Sequence, residues 1–172
     1  PPPIARRPAA SPPPLPVNPQ APANSPVDLI QRSENLMPPA ELAFFAILEP
    51  LVRPTCMISS KVRLADLFHV APGAGQQSAF NKISRKHIDF VLTDPATSRI
   101  LCGIELDDRS HNQPDRVERD SFVNEVFARN QLPLLRVPVA WTYYPPALHA
   151  ALIKAGLTLN PWVSPSATSP HH

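Results

Sequence analysis

Cysteine is nearly absent from this chain. Only Cys56 and Cys102 occur, with no repeated spacing. A disulfide scaffold or a cysteine zinc site needs more ligands at characteristic intervals. The lack of such a framework favours a reducing, cytoplasmic setting, and Cys102, inside an apolar run, reads as a buried free thiol. Charge of one sign is lacking too: 16 Lys and Arg against 14 Asp and Glu leave a net +2, with a pI near 8.9. That is far from the dense basic stripe of a dedicated nucleic-acid binder, although a nucleic-acid substrate stays open. No run approaches the roughly 20 apolar residues that span a bilayer. No signal peptide opens the chain, which begins at Pro1 and reads as a fragment, so an upstream membrane anchor is left open. Gly73 and Gly75 are not followed by Lys-Ser/Thr, which excludes a phosphate-binding loop there.

Proline is abundant but unevenly placed: of 25, 13 fall at or before Pro39. Proline fixes φ and removes a backbone donor, so neither helix nor sheet propagates through that density. Residues 1–36 read as a disordered proline-rich linker, with a ligand for a proline-recognising module as the alternative. Residues 37–160 carry the folding pattern, and 161–172 return to a disordered Ser/Pro/Thr tail ending in His171 and His172.

Within 37–160, Pro38-Pro39 suits a first helical turn. Leu42, Phe45, Leu48 and Val52 then form an apolar stripe, and Pro50 and Pro54 close the element. Cys56 to Leu64 reads as a strand, followed by a helical turn over 65–68 and a Gly/Pro loop over 72–77. Lys86 to Thr93 and Ile100 to Asp107 read as a hairpin about the turn Asp94-Pro95. Residues 115–130 form an amphipathic helix with the pairs Phe122/Val126 and Val123/Phe127. Leu132 to Val139 is an apolar strand of the kind buried in a sheet, and Pro145-Pro146 opens a last helix that Gly156 closes. The class is α/β, a mixed sheet flanked by helices.

Three carboxylates stand where carboxylates are costly. Asp89 lies among Ile88, Phe90, Val91 and Leu92, and Glu105 and Asp107 alternate with Ile104 and Leu106. Strand alternation projects Glu105 and Asp107 to one side, about 7 Å apart, and hairpin pairing lets Asp89 join them. Like charges gathered there cost several kcal/mol per ion unless compensated. Mg²⁺ or Mn²⁺ takes oxygen ligands and serves phosphodiester hydrolysis. The plainer alternative is a half-exposed strand with both acids in water.

The runs KHIDFVLTDP, GIELDDRSH, RVERDSFVNEVF and QLPLLRVP resemble domain-of-unknown-function family 2726, in the restriction-endonuclease-like PD-(D/E)XK superfamily. Their D…E-x-D-x-x-x-H…D…LLR layout is also similar to that of very-short-patch-repair endonucleases. The resemblance covers roughly Pro38 to Leu152 and implies an α-β-β-β-α-β core. It makes Asp89 and Glu105 the acidic pair. Asp107 stands where the common motif has lysine, so the positive charge beside the attacking hydroxide is missing. Repair-endonuclease-like members also lack that lysine, and His111 matches their histidine, a candidate acid or base. Glu41 matches an acidic residue of the first helix, with a solvated helix-start glutamate as its alternative. Lys86 or Lys61 can replace the lysine from neighbouring strands, or be solvated strand-end residues. Asp120 can orient His111, and Arg119 and Arg136 can grip phosphate or pair with the acids.

Three readings follow. The first is a Mg²⁺-dependent DNA endonuclease using Asp89, Glu105, Asp107, His111 and Glu41, with phosphate contacts from Arg63, Lys82, Arg85, Lys86, Arg109 and Arg116. The second is a nuclease-like module that binds nucleic acid or a partner without cutting. The third is a tethered protein-interaction module.

Overall fold

Proline opens the first helix. In the computed structural model, which describes residues 26–107, 114–140 and 142–162 and only the backbone over 114–120, α1 spans Pro39–Val52 behind Pro38. A first turn has no use for the N–H groups these prolines lack. The helix then passes through Pro50 to Val52 instead of closing there. Pro50 and Ala46, whose carbonyl loses its partner, are both exposed, so water can satisfy that oxygen. The buried stripe is also rotated from the expected one: Glu41, Phe44, Leu48, Leu51 and Val52 face inward, while Leu42 is 56% exposed.

The chain divides into two units, Pro1–Leu36 and Met37–His172. The described part of the first holds one 3-10 turn, Pro26–Leu29, with no buried residue. The second carries α1, β1 (Met57–Arg63), α2 (Leu64–Leu67), α3 (Gln76–Ser84), β2 (His87–Thr93), β3 (Ile100–Asp107), α4 (Pro114–Arg129), β4 (Leu134–Pro138) and α5 (Pro145–Lys154). The strands form one mixed sheet in the order β1-β2-β3-β4, the first three antiparallel and β4 parallel to β3. No helix among the described residues is long and apolar enough to cross a membrane.

Two apolar layers hold helices to the sheet. On one face Phe90, Leu92, Cys102, Ile104 and Leu106 pack with Phe44, Leu48 and Val52 of α1 and Leu148 and Leu152 of α5. On the other, Val91 packs with Leu64, Ile83, and Val123 and Phe127 of α4. A Cβ at Gly103 would come within 2.7 Å of the Phe127 ring, so glycine is what lets α4 approach β3 this closely. β4 is an edge strand, and its residues are half-buried or exposed where the apolar run suggests a buried strand. Its Leu135 and Val137 nevertheless meet one layer and its Leu134 the other, so both faces are covered as in any parallel crossover strand.

Helix α3 falls where a loop and an unassigned stretch were expected. Its sequence, QQSAFNKIS, buries only Ile83, so it carries no apolar period to read.

Strand parity breaks at one level of the sheet. Ile58 packs with the first layer and Val62 with the second, although even spacing should keep them together. Phe90 and Ile88 divide in the same way. The register pairs Ser60 with Phe90 and then Val62 with Ile88. Between them Lys61 has φ +56°, a left-handed turn that a lysine rarely adopts.

Candidate active site

The strands β2 and β3 part company at this same level. Their pairing runs down to Phe90 opposite Ile104. Beyond it β2 continues only with β1, through Ile88 and His87, and β3 only with β4, through Asp107 and Pro138. Asp89 is the first residue past the fork. Its Oδ2 accepts the N–H of Leu106 at 2.8 Å, so a carboxylate takes over where a backbone carbonyl would have continued the ladder. A charge-assisted bond of this kind is roughly twice as strong as a neutral one, and it fixes Asp89 at the mouth of the fork.

The other oxygen, Asp89 Oδ1, lies 3.9 Å from Lys61 Nζ, and Lys61 also donates to Glu41 Oε1 on α1. Three elements thus meet through one ammonium group. The left-handed turn at Lys61 carries a backbone cost of about 1–3 kcal/mol, and the ion pairs hold the side chain against it. Glu41 is 8% exposed, and its Oε2 is buried without a hydrogen-bond partner among the described residues. Such an atom costs stability unless something meets it.

On β3, Glu105 is buried and not solvated, at 8% exposure. Asp107 is half-buried. Arg136 Nη1 of β4 donates to Asp107 Oδ1 at 2.7 Å, and Arg136 Nε donates to Asn124 Oδ1 of α4 at 2.8 Å. Of the two roles open to Arg136, pairing with the acids is therefore the one the geometry displays. Positive charge thus reaches Asp89 from Lys61 of β1 and Asp107 from Arg136 of β4.

Lys86 Nζ lies 5.5 Å from the centroid of the Phe122 ring. His111, with Asp108 and Arg109, lies outside the described residues, as do the side chains of Arg116, Arg119 and Asp120 on α4. Among the described residues no three His, Cys, Asp or Glu side chains are grouped so as to hold a metal ion. Asn124 was not singled out from the sequence. An asparagine on an amphipathic helix gives no sign of which strand residue it will meet.

A family model for proteins of unknown function, DUF2726, matches residues 33–155. The chain belongs to the DUF2726 family. No curated protein matches it, and no solved structure does. The matched stretch of this DUF2726 chain contains all of these residues: Glu41, Lys61 and Asp89 of one set, Asp107 and Arg136 of the other, and Glu105.

Proposed function

We propose that this DUF2726 domain is a divalent-metal-dependent nuclease that hydrolyses phosphodiester bonds in DNA. The observation that carries this reading is Asp89 at the fork of β2 and β3, bonded to Leu106 N–H and facing the Lys61 ammonium that also binds buried Glu41. Carboxylates and a lysine brought together from separate elements suit phosphoryl chemistry. The acids take hard cations, and the ammonium stabilises charge on an attacking or departing oxygen. The order α1-β1-β2-β3-α4-β4, with α2 and α3 inserted between β1 and β2 and β4 parallel to β3, supports the restriction-endonuclease-like assignment.

The donor set fits Mg²⁺ or Mn²⁺ in chemistry: all its ligands are carboxylate oxygens, and Glu41 Oε2 is buried without a partner among the described residues. Asp89, Glu105 and Asp107 would hold the ion, with Glu41 beside them, and the ion would lower the pKa of a bound water and neutralise phosphoryl charge. Lys61 orients the carboxylates of Glu41 and Asp89. Arg136 holds Asp107 on the α4 side of the sheet. His111 serves as the acid or base that protonates or deprotonates the reacting oxygen.

A second reading has its own support. Arg136 already neutralises Asp107, and no three-ligand group stands assembled among the described residues. This favours a nuclease-like module that binds nucleic acid without cutting. Plasmid nicking in Mg²⁺ or Mn²⁺ separates the two. The first reading requires nicking by the wild type and a loss of about a hundredfold, nearly 3 kcal/mol of barrier, in Asp89→Asn. Equal rates in the two proteins, or none in either, would remove it.

A further inference from the structure

Helix α3 presents a surface that packing does not explain. Every residue from Ala71 to Lys82 is exposed, and Ile83 alone anchors the helix. No Asp or Glu occurs between Asp66 and Asp89, whereas Lys82, Arg85, Lys86 and His87 gather where α3 passes into β2. Among the described residues neither Lys82 nor Arg85 has a carboxylate partner. Lys82 and Lys86 flank the Phe122 ring, with Nζ 5.9 and 5.5 Å from its centroid, which spaces positive charge around an aromatic face. On another side of α3, two residues before Lys82, Phe80 is 46% exposed. It borders a groove lined also by Phe68, His69, Gln76 and Gln77. Phe68 is held there by an edge-on contact with Phe127, ring centroids 5.1 Å apart.

Cations alone would suit any polyanion. Cations on the same short helix and its exit as an exposed aromatic ring, with a groove carrying amide and imidazole groups, suit one whose units are flat and carry hydrogen-bonding edges. A duplex hides the faces of its bases, while a single strand offers them for stacking. We propose that the exposed face of α3 and its junction with β2 bind single-stranded nucleic acid, with phosphates on Lys82 and Arg85 and a base stacked on Phe80. This choice of ligand rests on reading the Asp89 site as one for phosphodiesters, because the strand would pass from α3 directly to the start of β2. It does not require that the site cut.

The test uses the whole chain in EDTA, so that no cleavage intervenes, and a labelled oligothymidylate of about 16 nucleotides. Fluorescence anisotropy should report binding that weakens as salt rises. Lys82→Ala with Arg85→Ala should weaken it by about tenfold or more and reduce the log–log salt slope by about 1.4, two single-strand phosphate contacts. Phe80→Ala should weaken it by about fivefold or more with the slope unchanged. A duplex of equal length should bind less tightly. All three side chains are exposed, so far-UV circular dichroism should match the wild type. Variants that bind like wild type, a duplex that binds as tightly, or no binding of either nucleic acid overturns the proposal. The two readings fail separately. If wild type does not cut and the α3 variants lose binding, only the cleavage reading falls. If wild type cuts and the α3 changes leave binding intact, only the α3 reading falls.

Discussion

The hairpin of β2 and β3 has an aspartate at each end, and the two are used in opposite ways. At the turn, Asp94 serves its own loop. One oxygen accepts the N–H of Ala96 at 3.0 Å and of Thr97 at 2.8 Å, and the Thr97 hydroxyl at 2.8 Å. All three donors lie within three residues of it in the chain. At the open end, Asp89 bonds a backbone amide 17 residues away and faces a lysine from a third strand. A local carboxylate stabilises a turn. One whose partners arrive from β1 and β3 ties together strands that have parted.

The sharpest contrast is in activity. Asp89→Asn should abolish plasmid nicking by about a hundredfold, whereas Asp94→Asn should leave the rate unchanged. Equal losses in both would mean that the two ends are not functionally distinct. Next in size is the packing between the ends. Gly103→Ala drives a methyl group into the buried Phe127 ring and should cost about 1–3 kcal/mol, read as a lower urea midpoint at unchanged slope. An unshifted midpoint would show that α4 moves aside freely.

Lys61→Ala should follow, with a loss of about 1–2 kcal/mol. It leaves the largely buried Glu41 carboxylate without its cation, while the third of Lys61 that water reaches limits the cost. Adding Glu41→Gln should recover most of that loss, and no recovery would deny that the pair is coupled. The smallest effect belongs to the turn and to pH. The Thr97 hydroxyl and the Thr97 and Ala96 amides hold the Asp94 carboxyl below the ordinary carboxylate range. Its contribution is therefore complete above that range and fades as pH falls through its lowered value. Protection of the Ala96 and Thr97 amides, taken relative to their intrinsic exchange rates, should fall only in that acid window, while the Leu106 amide, bonded to Asp89, reports the other end independently. Cys102 offers a control for global opening. Burial pushes its thiol up to about 11, so it should react with a disulfide reagent at pH 8 only after unfolding.

Much of this molecule could be read locally. The prolines before α1, the Asp-Pro turn, the two apolar strands around it and the paired apolar residues of α4 all announce themselves within a few positions of chain. So does the cost of placing Asp89 and Glu105 in apolar strands, which marked them before any geometry. The misreadings share a cause. Glu41 faces inward and Leu42 outward because α1 is rotated to deliver a carboxylate to Lys61, which hydrophobicity does not encode. Pro50 lies inside α1 because the exposed side of a last turn tolerates the missing donor. Helix α3 has only Ile83 to bury, so no period betrays it.

The sequence by itself determined the strands, the helices other than α3, their order and the unusual acids, because each depends on backbone preference and on burial counted over neighbouring residues. The tertiary structure alone decided which charges meet. Lys61 turns left-handed in the middle of a strand, the sheet changes parity there, and Asp89 finds Leu106 and Lys61 while Asp107 finds Arg136. Ion pairs and forks form between segments distant in the chain. Their energies depend on separation in space and on exclusion of water, neither of which is written at any single position.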